Sequence, residues 1–474
     1  MDKLIGREKE IAELKRCVDS SRSEFIVVYG RRRVGKTFLV RKFFDDSYSF
    51  HYVGAHQAST RIQLDNFAKA LERYGGKKVP RLNDWSDAFA HLQTHLESLD
   101  NTKRKVVFID EMPWIDNKQS RFVEAFEYFW NSWAMGRDDI VLVVCGSATS
   151  WMVDNLEENQ GGLHGRITSR IYLRPFTLHE CQLYLRSRRF DWDEYQIMQN
   201  YMVMGGVPYY MSLLTPELSL QQNIDKLYFE RGGMLRTEFD ELYNALFTQA
   251  DKYIVVVRLL AQHREGMLRS EIERHTGLSG GTLTRILRNL ERCDFVYGYT
   301  QLGKKVKGVI YKLVDFYTLF YCKFIDGNRS GDEQYWMHNF QSRSVSVWEG
   351  LSFELVCLMH IWQIKHALGI SGIATEVAAW RSAPANGQRG TQIDLVIKRV
   401  DKIVHLCEMK FSETPYVIKS DYVEKLSQRK QLFCDQTGIK RGVVHTFVTP
   451  CGLNRSKHNS IVHSEVTANE LFTM

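Results

Sequence analysis

Lys36 and Thr37 close the run Gly30-Arg31-Arg32-Arg33-Val34-Gly35-Lys36-Thr37, a G-x-x-x-x-G-K-T spacing. Glycines at both ends let the backbone curl so that successive N–H groups point at phosphate oxygens. Lys36 brings a mobile charge to the β- and γ-phosphates, and the Thr37 hydroxyl can hold Mg²⁺. A helix opening after Gly35 adds its positive end. The expected contact set is Gly30, Arg31, Arg32, Arg33, Val34, Gly35, Lys36, Thr37 and Phe38, with ATP and Mg²⁺ as ligands. Arg31, Arg32 and Arg33 read equally well as nucleotide contacts and as solvated arginines.

A second group of acids suits the same chemistry. Lys105-Val106-Val107-Phe108-Ile109-Asp110-Glu111 is an apolar run ending in two carboxylates. Asp110 is expected to share the Mg²⁺ of Thr37 through water, and Glu111 to act as general base on the attacking water. The bland alternative is a core strand that ends in solvated acids. Val141–Ala148 ends in Gly146-Ser147, where Ser147 can bond the γ-phosphate or the lytic water, or simply make a turn. Phosphoryl transfer wants a cation on the developing charge. Arg166 is the choice, with Arg170 in reserve, acting in cis or in trans.

A third group lies near the far end. Asp394 sits in the apolar run Thr391–Ile397, and Glu408 and Lys410 lie two apart in Ile403–Lys410. Residues two apart share one face of a strand. An antiparallel hairpin would set Asp394 beside them. Asp394 and Glu408 could then hold Mg²⁺ while Lys410 orients water, with Glu354 as a third acid. The alternative is a solvated hairpin with acids at its edges. Lys425 and Arg429 are further basic candidates for DNA.

The strongest charge bias falls between these groups. Residues 250–313 hold twelve Lys or Arg against six Asp or Glu, so this window supplies most of the net charge of +7. A short helix stopped by Gly277, a turn at Ser279-Gly280 and a second helix over 281–292 precede a hairpin. Ser270 with Glu273 is expected to cap the first helix. Leu283, Ile286, Leu287 and Leu290 form the core stripe of the second, and Arg285, Arg288 and Arg292 share another face. Strands over 295–300 and 309–313 would turn at Gly303-Lys304-Lys305. This is a helix-turn-helix with a wing. If DNA is bound, Arg285 and Arg288 enter the major groove, Arg292 flanks them, and Lys304, Lys305 and Lys307 meet phosphates. Such modules also serve as protein-docking elements.

The elements that must position these groups alternate. Strand patterns at 25–29, 50–53, 105–109, 140–145 and 171–173 between helical stretches predict a parallel sheet with helices on both faces. Residues 176–245 read as helical, interrupted by Gly205-Gly206-Val207-Pro208. After an aromatic-rich connector, α/β alternation returns: helix 349–366, strands 391–398 and 403–409, helix 420–436, strand 442–448. A chain of 474 residues with 44% hydrophobic and 25% charged residues fits a soluble multidomain protein. There is no 18-residue apolar run, and the nine cysteines form no C-x-x-C pair. A cytoplasmic chain with reduced thiols, no zinc site and no membrane span is the expectation.

Gly6-Arg7-Glu8, the phosphate loop, Ile109-Asp110-Glu111, Gly146-Ser147 and Leu173-Arg174-Pro175-Phe176 resemble the archaeal-type ATPases of the AAA-like and STAND-like group. The resemblance implies that Gly6 and Arg7 lie near adenine and that a helical lid carrying Gly-Gly-Val-Pro closes over nucleotide. The E…D…E-x-K arrangement resembles the PD-(D/E)xK, or restriction-endonuclease-like, superfamily, with Ile393 where its name has proline. The expected fold is an α/β multidomain chain: ATPase core 1–175, helical lid 176–248, winged helix 249–314, helical connector 315–348 and nuclease-like domain 349–474. The leading function is an ATP-hydrolysing, DNA-directed protein whose far domain cuts DNA with Mg²⁺ under ATP control. The rival is a STAND-like switch with an inert nuclease-like fold. A protein-binding assembly ATPase, as a homo-oligomer or otherwise, is a third.

Overall fold

The computed structural model describes residues 4–100, 103–117, 119–158, 161–300, 302, 308–382, 391–439 and 441–474. The chain divides into two compact units, residues 1–175 and 176–474.

The first unit is built on five parallel strands: β1 (Glu24–Tyr29), β2 (Phe50–Val53), β3 (Lys105–Asp110), β4 (Ile140–Gly146) and β5 (Ser169–Tyr172), in the order β2-β3-β4-β1-β5. Alternate residues feed different cores, as the strand pleat requires. Phe25, Val27, Val107, Ile109, Leu142 and Val144 join an aromatic core with Phe67, Trp85, Phe89, Phe126 and Trp130. Ile26, Val28, Phe108, Val141, Val143 and Cys145 face the smaller cluster of Leu14, Leu39 and Val40. Burying each such side chain contributes about 1.5–3 kcal/mol. Both faces are covered, which is why these strands read as unbroken apolar runs.

The second unit departs from the expected row of separate domains. One continuous core runs through Leu178 and Met202 of the helical segment, Leu283 and Leu290 of the winged segment, and Phe353 and Cys407 of the last segment. The three segments hide apolar faces that none of them could cover alone.

The winged segment contains β6 (Met267–Leu268), the helices Arg269–Thr276 and Gly280–Arg292, β7 (Val296–Thr300) and β8 (Val309–Leu313), with sheet order β6-β8-β7. Leu283, Ile286, Leu287 and Leu290 are buried as the stripe requires. The first helix starts at Arg269, before the expected cap Ser270. The Leu268 amide donates to Glu271 Oε2 at 2.7 Å, so Glu271 satisfies this end. Ser270 and Glu273 do not cap it, and Arg269 donates to Glu273 at 3.1 Å instead. β6 runs straight into the helix, so the helix begins before Ser270.

The last segment has five strands: β9 (Thr375–Ser382), β10 (Thr391–Arg399), β11 (Val404–Met409), β12 (Val443–Val448) and β13 (Val462–Val466), ordered β13-β12-β11-β10-β9. β9, β10 and β11 pair antiparallel, while β11, β12 and β13 pair parallel. β9 and β13 fell outside the sequence reading. The expected helix 349–366 begins earlier, at Arg343, and breaks at His360 into Arg343–Met359 and Ile361–Ala367, bent by 75°. No single helix among the described residues is long and apolar enough to cross a membrane. All nine cysteines are free thiols.

Candidate functional site: a phosphate loop and a distant carboxylate cluster

Parallel strands end on one edge, so β1, β4 and β3 deliver Gly30, Ser147 and Asp110 to the same place. The loop leaves β1 at Gly30 with φ 141, and a Cβ there would lie 2.3 Å from the Leu173 carbonyl oxygen. Gly35 takes φ 91 and starts the helix Lys36–Phe43. Lys36 is buried, and its Nζ donates to the Gly30 and Arg31 carbonyls, both at 2.9 Å. Arg31 is buried, Arg32 and Arg33 are half-buried, Val34 is buried and Phe38 is exposed. The Arg7 guanidinium donates to the Val34 carbonyl at 3.3 Å, so the Arg7 side chain reaches the backbone of the loop.

Thr37 Oγ1 donates to Asp110 Oδ2 at 2.8 Å, and the Glu111 amide donates to Asp110 Oδ1 at 2.9 Å. Burial pushes the Asp110 carboxyl above its ordinary range, against those hydrogen bonds and the charge of Lys36. A desolvated carboxylate beside a hydroxyl is a hard-oxygen donor set of the kind Mg²⁺ takes. Glu111 has φ 47, a left-handed backbone that costs a non-glycine residue about 1–3 kcal/mol. Ser147 fixes its carboxylate: the Ser147 hydroxyl donates to Glu111 Oε2 at 2.8 Å and its amide at 3.2 Å. The alternatives for Ser147 thus gain a third, a clamp on the candidate base.

The structure does not bring Arg166 to this site within the chain. Thr168 donates through its amide to Phe25, at the start of β1, and Arg166 lies just before it with Nη1 on Met135 Sδ at 3.4 Å. The loop is at the other end of β1, about 15 Å away at a strand rise of about 3.3 Å per residue. Arg170 pairs in mid-strand with Val27. An arginine that the sequence reading passed over sits at the correct end. Arg174 follows Leu173, whose amide donates to Tyr29 at 2.8 Å, and its guanidinium lies 5.7 Å from the Tyr172 ring. Its signal was its place two residues past β5, next to Leu173, whose carbonyl abuts Gly30.

The far cluster is built by register. Leu395 pairs with Cys407 in the antiparallel β10–β11 ladder, so Asp394 comes level with Glu408 just beyond its end. The β9–β10 ladder slips between Ile393 and Val396, which puts Asp394 and Leu395 together opposite Ala379. Lys410 Nζ lies 3.7 Å from Glu408 Oε2. Glu408 is buried, and both its oxygens are taken: Tyr422 donates to Oε2 at 2.6 Å and Arg429 pairs with Oε1. Arg429 is a partner of Glu408 in this structure. Lys425 is exposed and lies 3.8 Å from Asp421.

Glu354, on the helix Arg343–Met359, is pushed up to about 7 by burial and then by the charge of Asp394, against Lys312 and Lys410. Asp394 and Glu354 thus repel one another, whereas Glu408 is already compensated. Among the described residues no three His, Cys, Asp or Glu side chains come together closely enough to hold a metal ion. The three-acid site of Glu354, Asp394 and Glu408 is not assembled, because Glu408 turns to Tyr422 and Arg429. The pair that would gain most from a cation is Asp394 with Glu354.

On the helix Gly280–Arg292, Arg285 and Arg288 are exposed and Arg292 is half-buried. Lys304, Lys305 and Lys307 lie outside the described residues.

Residues 4–214 match the model of an ATPase domain predominantly from Archaea, and residues 249–298 match an IclR helix-turn-helix domain. An uncharacterized protein of Methanocaldococcus jannaschii is 25% identical over 419 residues, covering 86% of this chain and 88% of its own. An uncharacterized ATP-binding protein of the same organism is 40% identical over 42 residues, 9% of this chain and 71% of its own. Among solved structures, the Walker-type ATPase of Pyrococcus abyssi is similar at 16% identity, with TM-score 0.48, covering 68% of this chain and 96% of that one. The chain carries an ATPase domain over residues 4–214 and a helix-turn-helix over residues 249–298.

Proposed function

We propose that this ATPase is DNA-directed and that its last segment is a metal-dependent nuclease-like domain. ATP is held by the loop Gly30–Thr37, with Mg²⁺ on Thr37 and Asp110. Glu111, clamped by Ser147, polarises the attacking water. Arg174 supplies the cation within the chain, and Arg166 could serve only a neighbouring copy.

The observation that carries the nuclease reading is the β10–β11 register, which makes Asp394 level with Glu408 and two residues from Lys410's strand neighbour. The segment runs helix, three antiparallel strands, a further helix and two strands that pair parallel with β11 and each other. Metal would sit on Asp394 with Glu354 and polarise the scissile phosphate or its water. Incubating wild type and Asp394→Ala with linear, circular and single-stranded DNA, with Mg²⁺ and with or without ATP, tests this. Mg²⁺-dependent cutting lost in the variant is the expected result. Cutting that survives Asp394→Ala removes the proposal.

The rival is an inert nuclease-like fold in a regulatory switch ATPase. It is favoured by one observation: Tyr422 and Arg429 occupy both oxygens of Glu408. No cutting by wild type under any of those conditions, with ATP turnover intact, would select it. DNA contact itself is tested by Arg285 and Arg288. Changing both to alanine should lower the slope of log affinity against log salt by about 2. An unchanged slope would point to the protein-docking alternative.

A further inference from the structure

Lys312 lies in β8, the closing strand of the winged segment, yet it is only 7% exposed. Burial pulls its ammonium below the ordinary lysine range, and the charges of Asp394 and Glu354 oppose that pull. Arg264, from the same segment, is drawn down to about 10 by burial, with Glu354 as the opposing charge. Two cations of the winged helix therefore act on the acids of the last segment.

The two segments are tethered where it matters. The Leu302 amide donates to the Ala379 carbonyl at 3.1 Å. Ala379 is the residue opposite the β-bulge of Asp394 and Leu395, so the wing attaches at the irregularity that presents the acid. The Leu302 side chain packs with Trp380, Ile393 and Phe433. Arg264 donates to Ser352 Oγ at 3.2 Å, two residues before Glu354, and Arg381 of β9 donates to the Glu265 carbonyl.

The opposite charges do not collapse onto each other. Neither the Lys312 ammonium nor the Glu354 carboxylate makes a hydrogen bond or close ion pair with any described residue. A buried ammonium with no partner is costly, and a ligand of mixed charge between it and the half-buried Glu354 would offset that cost. A divalent cation on the acids together with a phosphate on the lysine is such a ligand.

We propose that Lys312 is the phosphate-binding residue of the Asp394–Glu354 cluster, supplied by the winged helix, so that a nucleic-acid phosphodiester is held jointly by two segments. This rests on the reading of that cluster as a metal site. It also gives the docked wing a second role besides meeting DNA on its outer face.

The test uses the full chain carrying Thr37→Ala, so that the phosphate loop does not confuse the metal count. Mn²⁺ binding is followed by electron spin resonance. Binding of a fluorescent 5′-phosphorylated hexanucleotide is measured in Ca²⁺ and in chelator, and the difference is the metal-dependent part. Asp394→Ala should remove one Mn²⁺ equivalent. Lys312→Met should keep that equivalent and weaken the metal-dependent oligonucleotide binding at least tenfold, with recovery in Lys312→Arg. If the methionine variant loses cooperative melting, Lys312→Gln takes its place. Unweakened oligonucleotide binding with the Mn²⁺ equivalent intact overturns the role of Lys312 alone. A Mn²⁺ count untouched by Asp394→Ala overturns the metal reading, and the role of Lys312 with it.

Discussion

At the phosphate loop, the groups proposed to meet phosphate or metal lie at or beside the ends of three adjacent parallel strands. Thr37, Asp110, Glu111 and Ser147 are joined by hydrogen bonds of 2.8–3.2 Å. At the far cluster, Asp394 comes from a bulged strand, Glu408 from its hairpin partner, Glu354 from a helix and Lys312 from the winged segment. Its charges are left partly unsatisfied, while Glu408 is drawn off to Tyr422 and Arg429. One site is local and closed on itself. The other depends on how separate segments pack, so damage to packing should cost it function that the first site would keep.

The largest expected effect tests the local site. Glu111→Gln should leave nucleotide affinity within a few-fold of wild type and lower ATP turnover by about 10²–10⁴-fold, the usual weight of a general base. Steady-state turnover with a separate nucleotide titration checks both halves. Turnover within threefold of wild type would remove Glu111 as the base.

The next effect tests whether the far cluster depends on packing. Leu302→Ala deletes a side chain buried among Trp380, Ile393 and Phe433, at a cost of about 2–4 kcal/mol. Denaturant melting of the second unit should show that loss. Metal-dependent oligonucleotide binding should weaken while ATP affinity holds. If the oligonucleotide binding is untouched, the cluster does not need the docked wing, and the contrast between the two sites fails.

A third effect has the opposite sign. Glu354 sits at about 7 in the folded chain against an ordinary 4.5, so the folded state binds its proton more tightly than the unfolded one. Stability must then fall as pH rises from about 4.5 to about 7 and stay level above that. Glu354→Gln removes this penalty. It should stabilise the second unit by up to about 3 kcal/mol at pH 8 and by almost nothing at pH 4. Melting curves across that range check it. A variant less stable than wild type at pH 8 would mean that Glu354 is compensated by a partner.

These contrasts also explain what could be read from residue order. Gly30–Thr37 and Lys105–Glu111 were legible because a contiguous run carries both the strand and the chemistry. The pairing of Asp394 with Glu408 was legible because an antiparallel hairpin fixes register across a short turn. The partners of those acids were not. Arg429 looks like any helical arginine until the helix Ser420–Thr437 is seen to lay it on Glu408. Lys312 looks like an outward residue of a wing strand, yet it is buried. Arg166 misled for a related reason: a loop next to a strand says nothing about which end of the sheet it occupies. Helix starts set by a single neighbouring residue, such as Leu268 with Glu271, were equally beyond local pattern.

The smallest effect belongs to Ser147, and it separates two roles within the local site. Its hydroxyl donates to Glu111 Oε2 at 2.8 Å, and its amide, at 3.2 Å, donates to the same oxygen. Ser147→Ala removes the first and leaves the second. A hydrogen bond to a charged group contributes about 1.5–3 kcal/mol, and the remaining amide contact should keep the loss at the low end. Turnover should therefore fall about tenfold with the affinity for ATP unchanged, since a residue that only steadies Glu111 acts on the reaction step. A hydroxyl that instead grips the γ-phosphate would also weaken ATP more than ADP when removed. Equal loss of turnover and of ATP affinity would transfer Ser147 from the base to the phosphate.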